Sequence, residues 1–213
     1  MENTRELIEA DILRRVTSHF GQDFVLLDKV YELENIKFGH INRVVHKAQD
    51  GDGKIVAIKI IDTMCGRKHR QLALLNNVMN ELHTLDLVKD KTSIPVTNIL
   101  KVVIDDQYIF QVMDFIEGNR LSCVYDSLDK PTLSAIEKQL REYISQLRGV
   151  GEDGKTLIHG DLGTYNIMVN GDKVSALIDW EVSREGEEGE ELEIVSARAW
   201  GDNHKEFIAN ILR

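Results

Sequence analysis

Residues 158–181 read IHGDLGTYNIMVNGDKVSALIDWE and contain most of the polar side chains on which the interpretation of this chain depends. Two short apolar runs, 167–169 and 174–178, flank the NGDK sequence, which is a strong signal for a β-hairpin. Asn166 precedes the first run and Asp179 follows the second, so the hairpin should return both to the same end of the sheet. Asp161 lies in the loop before the hairpin. We therefore expect three oxygen-bearing side chains to converge.

This set of side chains suits a hard cation, and Mg²⁺ bound to phosphate is the usual one for carboxylate and amide oxygens. A carboxylate and an amide oxygen would hold the metal, and a second carboxylate would orient a hydroxyl. Phosphoryl transfer needs these parts because its catalysis is mainly positioning and charge neutralisation. An Asp–Asn pair beside a hairpin also arises by chance, so an ordinary polar turn leading into a strand is the alternative.

Upstream of this stretch, the apolar patterns predict a small antiparallel sheet with one internal helix, preceded by an N-terminal helix over residues 3–20. The strands are predicted within 24–36, 43–48, 54–61, 99–106 and 108–116, with a hairpin turn at GDG, 51–53. The internal helix is predicted over 68–88. Its expected core-packing stripe is Leu72, Leu75, Val78, Met79, Leu82 and Leu85.

After Gly118 the pattern becomes mainly helical. Helices are predicted over 132–148, with Thr132 or Ser134 as the N-cap, and over 203–212.

Lys59 is a cation in the middle of the apolar strand KIVAIKII. Strand alternation places Val56, Ile58 and Ile60 on one face and Ala57, Lys59 and Ile61 on the other. A lysine on an edge strand that extends to water would explain Lys59 without any function. However, Glu81 on the following helix could pair with it, and Ala57 on the same face leaves room for a flat ring.

Five motifs occur in the order of the protein-kinase-like fold: VAIK (56–59), a helix glutamate, VMDFIEG (112–118), HGDLxxxN (159–166) and IDWE (178–181). In detail, HGDL with IDWE, FGHINRVV (38–45) and QLREYISQLR (139–148) resemble the aminoglycoside/choline phosphotransferase branch, especially its fungal-type members. The resemblance covers about residues 30–182. It implies an α+β, two-lobed fold: a nucleotide-binding lobe over 23–116 after an N-terminal helix (1–22), and a reduced, mainly helical lobe over 117–213 with the catalytic loop and metal site.

The resemblance also implies roles for individual residues, with ATP and Mg²⁺ as cofactors. Lys59 would hold the α- and β-phosphates and Glu81 would orient it. The backbone of Asp114 and Ile116 would meet the adenine edge, and Ala57 would line the ring. Asp161 would be the catalytic base or hydroxyl-orienting group, and Asn166 and Asp179 would be the magnesium ligands. His159 would hold the loop by hydrogen bonds. Trp180 would pack in the interior.

Several departures separate the chain from ordinary protein kinases. Residues 162–165 offer no cation, and Gly163 stands where a protein kinase usually has a lysine. DWE replaces the DFG motif, and no APE motif follows it. Gly39 is a single glycine where protein kinases have GxGxxG, which puts phosphate binding by backbone amides in doubt. The regions that build the acceptor pocket in the phosphotransferase branch are short here.

Charge and composition limit the partners. The formal net charge of −10 argues against nucleic acid and against an acidic membrane surface, whereas a cationic substrate would be attracted. The segment 185–193, EGEEGEELE, has six glutamates. We expect a solvated, flexible loop there, and the alternative is a surface that attracts a cationic acceptor.

With two distant cysteines, a charged N-terminus and no long apolar run, the sequence indicates a cytoplasmic protein, unless it is exported by a route that the sequence does not display.

Three functions are compatible with these features. The first is an ATP- and Mg²⁺-dependent phosphotransferase that moves the γ-phosphate to a hydroxyl acceptor, either a cationic small molecule or a basic protein segment. The second is a minimal protein Ser/Thr/Tyr kinase that acts on a macromolecular substrate. The third is a nucleotide-binding pseudoenzyme. The acceptor and the oligomeric state do not follow from the sequence.

Overall fold

The computed structural model describes residues 2–35, 40–64, 69–153, 155–197 and 202–213. The helices of this described part are α1 (Glu2–Phe20), α2 (His69–Lys91), α3 (Leu121–Val124), α4 (Lys130–Leu147), α5 (Glu190–Ala197) and α6 (Asp202–Leu212). Its strands are β1 (Val25–Asn35), β2 (His40–Gln49), β3 (Ile55–Asp62), β4 (Ile99–Ile104), β5 (Tyr108–Asp114), β6 (Asn119–Arg120), β7 (Thr156–Ile158), β8 (Ile167–Asn170), β9 (Lys173–Leu177) and β10 (Arg184–Gly186). None of the described helices is both long and apolar enough to span a bilayer.

The chain divides into two compact units, and the first consists of Met1–Leu75 and Asn98–Phe115. Its strands form a five-stranded antiparallel sheet with the order β1-β2-β3-β5-β4. The predicted GDG hairpin is confirmed, since Gln49 pairs with Ile55 across the turn and Gly53 has a φ of 83°. Gly39 and the start of the FGHINRVV motif lie outside the described residues. The doubt about phosphate binding by backbone amides concerns this same segment.

The two faces of β3 have the chemistry that alternation predicts. Val56, Ile58 and Ile60 are buried in one cluster with Ile12 and Val16 of α1. Lys59 points to the opposite face and is only 6% exposed. Because β3 lies in the centre of the sheet, the edge-strand explanation for this lysine is wrong.

An ionic cluster fastens α1 to the turn between β4 and β5. Arg15 donates to Asp105 at 2.8 Å, and Nε2 of His19 lies 3.0 Å from the same carboxylate. The N–H groups of Gln107 and Tyr108 donate to the other oxygen of Asp105, at 2.8 and 2.7 Å. Burial raises the pKa of the Asp105 carboxyl, but these hydrogen bonds outweigh burial and bring the pKa well below its ordinary value.

The second unit consists of Asn76–Thr97 and Ile116–Arg213. It contains a three-stranded sheet with the order β6-β8-β9 and a β7–β10 pair, and its other elements are helical. Helix α4 buries Ile136, Leu140, Ile144 and Leu147 as predicted, but its N-cap is Asp129, whose side chain accepts from the N–H of Thr132. The predicted caps were wrong because Pro131 allows the helix to begin earlier. Together the two units confirm the predicted α+β architecture.

The predicted core stripe of α2 is partly wrong. Leu72 and Met79 are 66% and 64% exposed. At 100° per residue, these two positions lie on the side opposite the buried positions. Five of the buried positions follow a spacing of four and three residues, at Leu74, Val78, Glu81, Leu85 and Val88, and Thr84 beside them is buried as well.

The Asp105 cluster predicts how stability depends on pH. We expect Asp105→Asn to lower the free energy of unfolding by about 1–3 kcal/mol at pH 7, because an ionised hydrogen-bond acceptor is lost. The pKa of Asp105 is depressed in the folded state, so its contribution is present above the ordinary value of 3.8 and is lost as the pH falls through the lower folded pKa. The difference between wild type and variant should therefore shrink below about pH 4. Denaturant titrations at several pH values measure it.

Asp106→Asn is the matched control, since Asp106 also contacts Arg15, at 2.6 Å, but is 83% exposed. Its loss should stay below about 1 kcal/mol, as for surface ion pairs. Equal losses in the two variants would contradict the assignment.

Candidate catalytic loop and metal site

The hairpin β8–β9 brings Asn166 and Asp179 to one end, as the sequence predicts. Ile167 pairs with Leu177, and the N–H of Ile178 donates to the carbonyl of Asn166 at 3.0 Å. This hydrogen bond closes the open end of the hairpin, with Asp179 as the next residue. The residues 164–166 form a short 3₁₀ turn that leads into β8.

Asn166 is joined directly to Asp161. Its side-chain nitrogen donates to the backbone carbonyl of Asp161 at 2.9 Å and to Oδ2 of Asp161 at 3.0 Å. Since both acceptors are oxygens, the nitrogen of the amide faces Asp161, and Oδ1 is the atom that would bind a cation. Asn166 is only 2% exposed, so its amide has a fixed orientation.

His159 holds the loop by hydrogen bonds, which confirms the structural role expected for it. Its ring is fully buried and packs on Trp180, with 4.4 Å between the ring centroids. Nε2 lies 3.1 Å from the carbonyl of Ile178, which can only accept, so Nε2 donates. Nδ1 then accepts from the N–H of Asp161 at 3.3 Å. The histidine therefore connects the loop to the end of the hairpin.

Asp179 has a left-handed backbone with a φ of 67°, which is uncommon for a residue other than glycine. Such conformations persist only where the surroundings impose them, and they cluster at functional sites. Here the next residues are fixed: Trp180 is buried and donates to the carbonyl of Leu177 at 3.0 Å, and the hydroxyl of Ser183 donates to the carbonyl of Trp180 at 2.7 Å. Asn80 of α2 donates to the carbonyl of Ser183 at 2.8 Å.

Glu191 of α5 is a part of the site that the sequence did not reveal. Its carboxylate accepts from the N–H of Gly160 at 3.0 Å and from the N–H of Leu162 at 3.3 Å. These two groups flank Asp161, so Glu191 holds the backbone on both sides of the candidate catalytic residue.

The prediction of a flexible loop over 185–193 was wrong, because the segment forms part of β10 and α5. Besides Glu191, three of its six glutamates have partners within the second unit: Glu188 pairs with Arg148 at 3.2 Å, Glu190 with Arg184, and Glu185 accepts from the N–H of Glu152. The acidic residues in its first turn were the sequence signal for a helix.

Helix α6 contacts the loop as well. Nδ1 of His204 lies 3.0 Å from the hydroxyl of Thr164, which is 2% exposed. The ring of His204 packs on Tyr125, with 4.7 Å between the centroids. Residues 161–166 are thus held by α5 and by α6.

The first unit contains Ala57, Lys59 and Asp114, the other predicted nucleotide contacts. Ala57 and Lys59 are 8% and 6% exposed on β3. The N–H of Asp114 donates to the carbonyl of Asn98 at 3.0 Å, and its carboxylate accepts from Lys54 at 2.7 Å and from Asn98. A contact between Asp114 and adenine would therefore use its carbonyl.

Glu81 and Ile116 belong to the second unit. Glu81 is 4% exposed on α2, and Ile116 is half-buried. The pairing of Lys59 with Glu81 stays a prediction.

The expected donor atoms, an amide oxygen and a carboxylate, are of the chemical types that magnesium prefers. Over the described ranges, no group of three or more His, Cys, Asp or Glu side chains could hold a metal ion by itself. The expected set is one amide oxygen, from Asn166, and one carboxylate, from Asp179. That is the sparse protein contribution typical of Mg²⁺, which keeps water and substrate phosphate oxygens as its other ligands.

Residues 31–201 match the family model described as the protein kinase domain. The chain belongs to the protein kinase domain family. None of the curated proteins matches the sequence significantly.

Among solved structures, the kinase-family chain is similar to the crystal structure of aminoglycoside phosphotransferase APH(4)-Ia. The two share 11% sequence identity and a TM-score of 0.65, over 88% of this chain and 76% of that chain. At this identity the likeness shows the fold. The protein-kinase-like family and fold suggested by VAIK, HGDLxxxN and IDWE are confirmed, and the aminoglycoside/choline phosphotransferase branch stays a prediction. Helix α1 lies before the matched residues and α6 lies after them.

A methyl group added at Gly160 should strongly lower the free energy of unfolding. Its φ is 76°, and a Cβ would lie 2.5 Å from the carbonyl oxygen of Val182. Gly171 has a similar φ of 62° with open space around it. We expect Gly160→Ala to lower the free energy of unfolding by about 3 kcal/mol and Gly171→Ala by about 1 kcal/mol, because only the first adds a clash to backbone strain. Thermal unfolding of both variants measures this difference, and equal losses would contradict the close packing.

The Glu191 contacts predict a local effect on the loop. In Glu191→Ala, the amides of Gly160 and Leu162 should exchange with solvent about 10-fold faster or more, because each loses a charge-assisted hydrogen bond. Glu193→Ala, at an exposed position in the same helix, is the control and should leave both amides unchanged. Hydrogen exchange followed by NMR gives the rates. Unchanged protection in Glu191→Ala would show that the carboxylate does not hold the loop.

Proposed function

We propose that this chain is an ATP- and Mg²⁺-dependent phosphotransferase that moves the γ-phosphate to a hydroxyl group. One observation carries the proposal: Asp161 is hydrogen-bonded to Asn166 at the end of the same hairpin that bears Asp179. In addition, Asp179 has the strained backbone that is common at functional positions. Phosphoryl transfer depends on positioning and charge neutralisation, and these side chains could supply both.

In the second unit, Asp161 would orient the acceptor hydroxyl and accept its proton as the oxygen attacks. Oδ1 of Asn166 and the carboxylate of Asp179 would hold Mg²⁺, which when bound neutralises charge on the phosphates. His159, Glu191 and His204 would keep the loop in place, because they bind its backbone or its neighbouring side chains. A rigid loop matters here, since a displacement of 1 Å can cost about 100-fold in rate.

In the first unit, Lys59 would hold the α- and β-phosphates of ATP, and Glu81 of the second unit would orient it. The phosphate oxygens of a nucleotide would be suitable partners for the charge of a buried lysine in a central strand. Ala57 would line the adenine ring, and the carbonyl of Asp114 and the backbone of Ile116 would meet its edge.

The acceptor divides the proposal into two candidates. A small-molecule hydroxyl acceptor, bound as a cation to this chain of net charge −10, is favoured by the resemblance to aminoglycoside phosphotransferases and by the loop 162–165, which has no lysine. A minimal protein kinase is favoured by the match to the protein kinase domain model. The glutamates of 185–193 do not decide between them, because a cationic small molecule and a basic protein segment would both be attracted to negative charge.

Transfer from labelled ATP tests the proposal. With Mg²⁺ and a panel of amino-alcohol, aminoglycoside and basic protein acceptors, we expect wild type to label either a small molecule or a protein, which separates the two candidates. Asp161→Ala and Asp179→Ala should each lower turnover by about 10³-fold or more, because they remove groups that act as a unit. Asp172→Asn, an exposed carboxylate in the turn of the hairpin, is the control and should keep wild-type turnover.

Measuring ATP–Mg²⁺ binding distinguishes a protein that binds nucleotide without catalysis from one that has no nucleotide site. Saturation with ATP–Mg²⁺ at 100 times the dissociation constant should stabilise wild type and Asp161→Ala by about 2.7 kcal/mol. Asp179→Ala should be stabilised less. Stabilisation without transfer to any acceptor would favour a pseudoenzyme, and full activity in either alanine variant would refute the assigned roles.

A further inference from the structure

The hydroxyl of Tyr165 donates to Oδ1 of Asp161 at 2.8 Å. The other oxygen of this carboxylate, Oδ2, accepts from Asn166 at 3.0 Å. Both oxygens of the candidate catalytic residue are therefore bonded by donors that follow it by four and five residues. The motif resemblance implies a role in the metal site for Asn166 and no role for Tyr165.

The place of the Tyr165 hydroxyl is set by its neighbours. Tyr165 is the middle residue of the 3₁₀ turn at 164–166, and both flanking residues are 2% exposed. Thr164 contacts His204, and Asn166 is bonded to Asp161. With both neighbours held, the backbone of Tyr165 cannot shift without breaking one of these contacts. The phenol is thus presented to Asp161 from a fixed point.

The bond from Tyr165 does not by itself exclude an acceptor hydroxyl from the same carboxylate. An ionised carboxylate offers about four acceptor positions on its two oxygens, and Tyr165 donates to one oxygen only. The tyrosine fixes the rotation of the carboxylate, and with it the direction in which the remaining lone pairs point.

Leu162, Gly163 and Thr164 carry no positive charge, whereas protein kinases usually place a lysine or arginine in this part of the loop. A phenol holds the carboxylate without adding charge. Positive charge for the phosphates would then come from Lys59 and the metal.

We propose that Tyr165 is a positioning residue for phosphoryl transfer: its hydroxyl fixes the Asp161 carboxylate in the orientation that meets the acceptor hydroxyl. The inference rests on the proposed function, because it gives Asp161 the acceptor. Tyr165 acts through Asp161 and forms no bond with the transferred phosphate. Its removal should therefore slow turnover without weakening the binding of ATP.

Turnover of the full-length chain tests this role. Hydrolysis of Mg²⁺–ATP, with water as the acceptor, is measured for wild type, Tyr165→Phe and Tyr143→Phe. We expect Tyr165→Phe to lower kcat by about 10- to 100-fold, with the KM for ATP within about twofold of wild type. Tyr143 is a half-buried phenol in α4 of the same unit, and Tyr143→Phe should keep wild-type kinetics. Wild-type kcat in Tyr165→Phe would overturn the proposal.

A rise in kcat would overturn it as well, since the hydroxyl would then be blocking the place of the acceptor. A fall in kcat together with a lower melting temperature and a weaker ATP affinity would show a merely structural anchor, which also contradicts positioning.

Crystal structures of wild type and Tyr165→Phe give a readout that does not need turnover. We expect the Asp161 carboxylate to rotate or to occupy two rotamers in the variant. A carboxylate that keeps its place and its B-factor overturns the positioning role, even if wild type hydrolyses no ATP. A displaced carboxylate in a chain without any ATP turnover supports the positioning and counts against the proposed function, so the two failures are distinguishable.

Discussion

The hydrogen bonds from the Asn166 side chain to Asp161 are the contacts on which the candidate site depends. Asn166 lies where the 3₁₀ turn passes into β8, and its buried amide bonds both the backbone and the carboxylate of Asp161. The backbone carbonyl of Asn166 accepts from the N–H of Ile178, the residue before Asp179. One residue therefore joins the loop to the far end of the hairpin. A buried amide with its donors satisfied is also costly to move, since each broken bond would leave a polar group without a partner.

Around this contact, the second unit holds the loop from separate elements. His159 connects the start of the loop to the end of the hairpin, Glu191 binds the backbone on both sides of Asp161, and His204 contacts Thr164. Two of these supports belong to α5 and α6, which lie near the C-terminal end of the described residues. These two helices thus fix the geometry of the loop.

The features that the sequence predicts well are local. NGDK between two apolar runs specifies the hairpin, so the convergence of Asn166 and Asp179 follows from chain order alone. Alternation in KIVAIKII places Lys59 on the face opposite α1, and the five-stranded antiparallel sheet follows from similar patterns. The kinase-like fold was predictable because several weak motifs occur in one fixed order.

The features that were missed depend on contacts between distant residues. Glu191 lies 31 positions from Gly160, and His204 lies 40 positions from Thr164. No spacing rule connects such pairs. The acidic segment was interpreted as a loop because its charge obscured a short helix, and the stripe on α2 was misjudged because leucines occur on more than one side of it. Tyr165 is close in sequence to Asp161, but only the 3₁₀ turn brings its hydroxyl to the carboxylate.

The central claim is that Asn166 and Asp179 hold a divalent cation together with ATP, and binding of Mn²⁺ in place of Mg²⁺ tests it most directly. Electron paramagnetic resonance with ATP present distinguishes Mn²⁺ bound to the ATP–protein complex from Mn²⁺ bound to ATP in solution. We expect wild type to give the signal of the protein-bound ion, and Asn166→Ala and Asp179→Ala each to reduce it strongly. An identical signal in wild type and both variants would contradict the account, because the metal would then be held elsewhere.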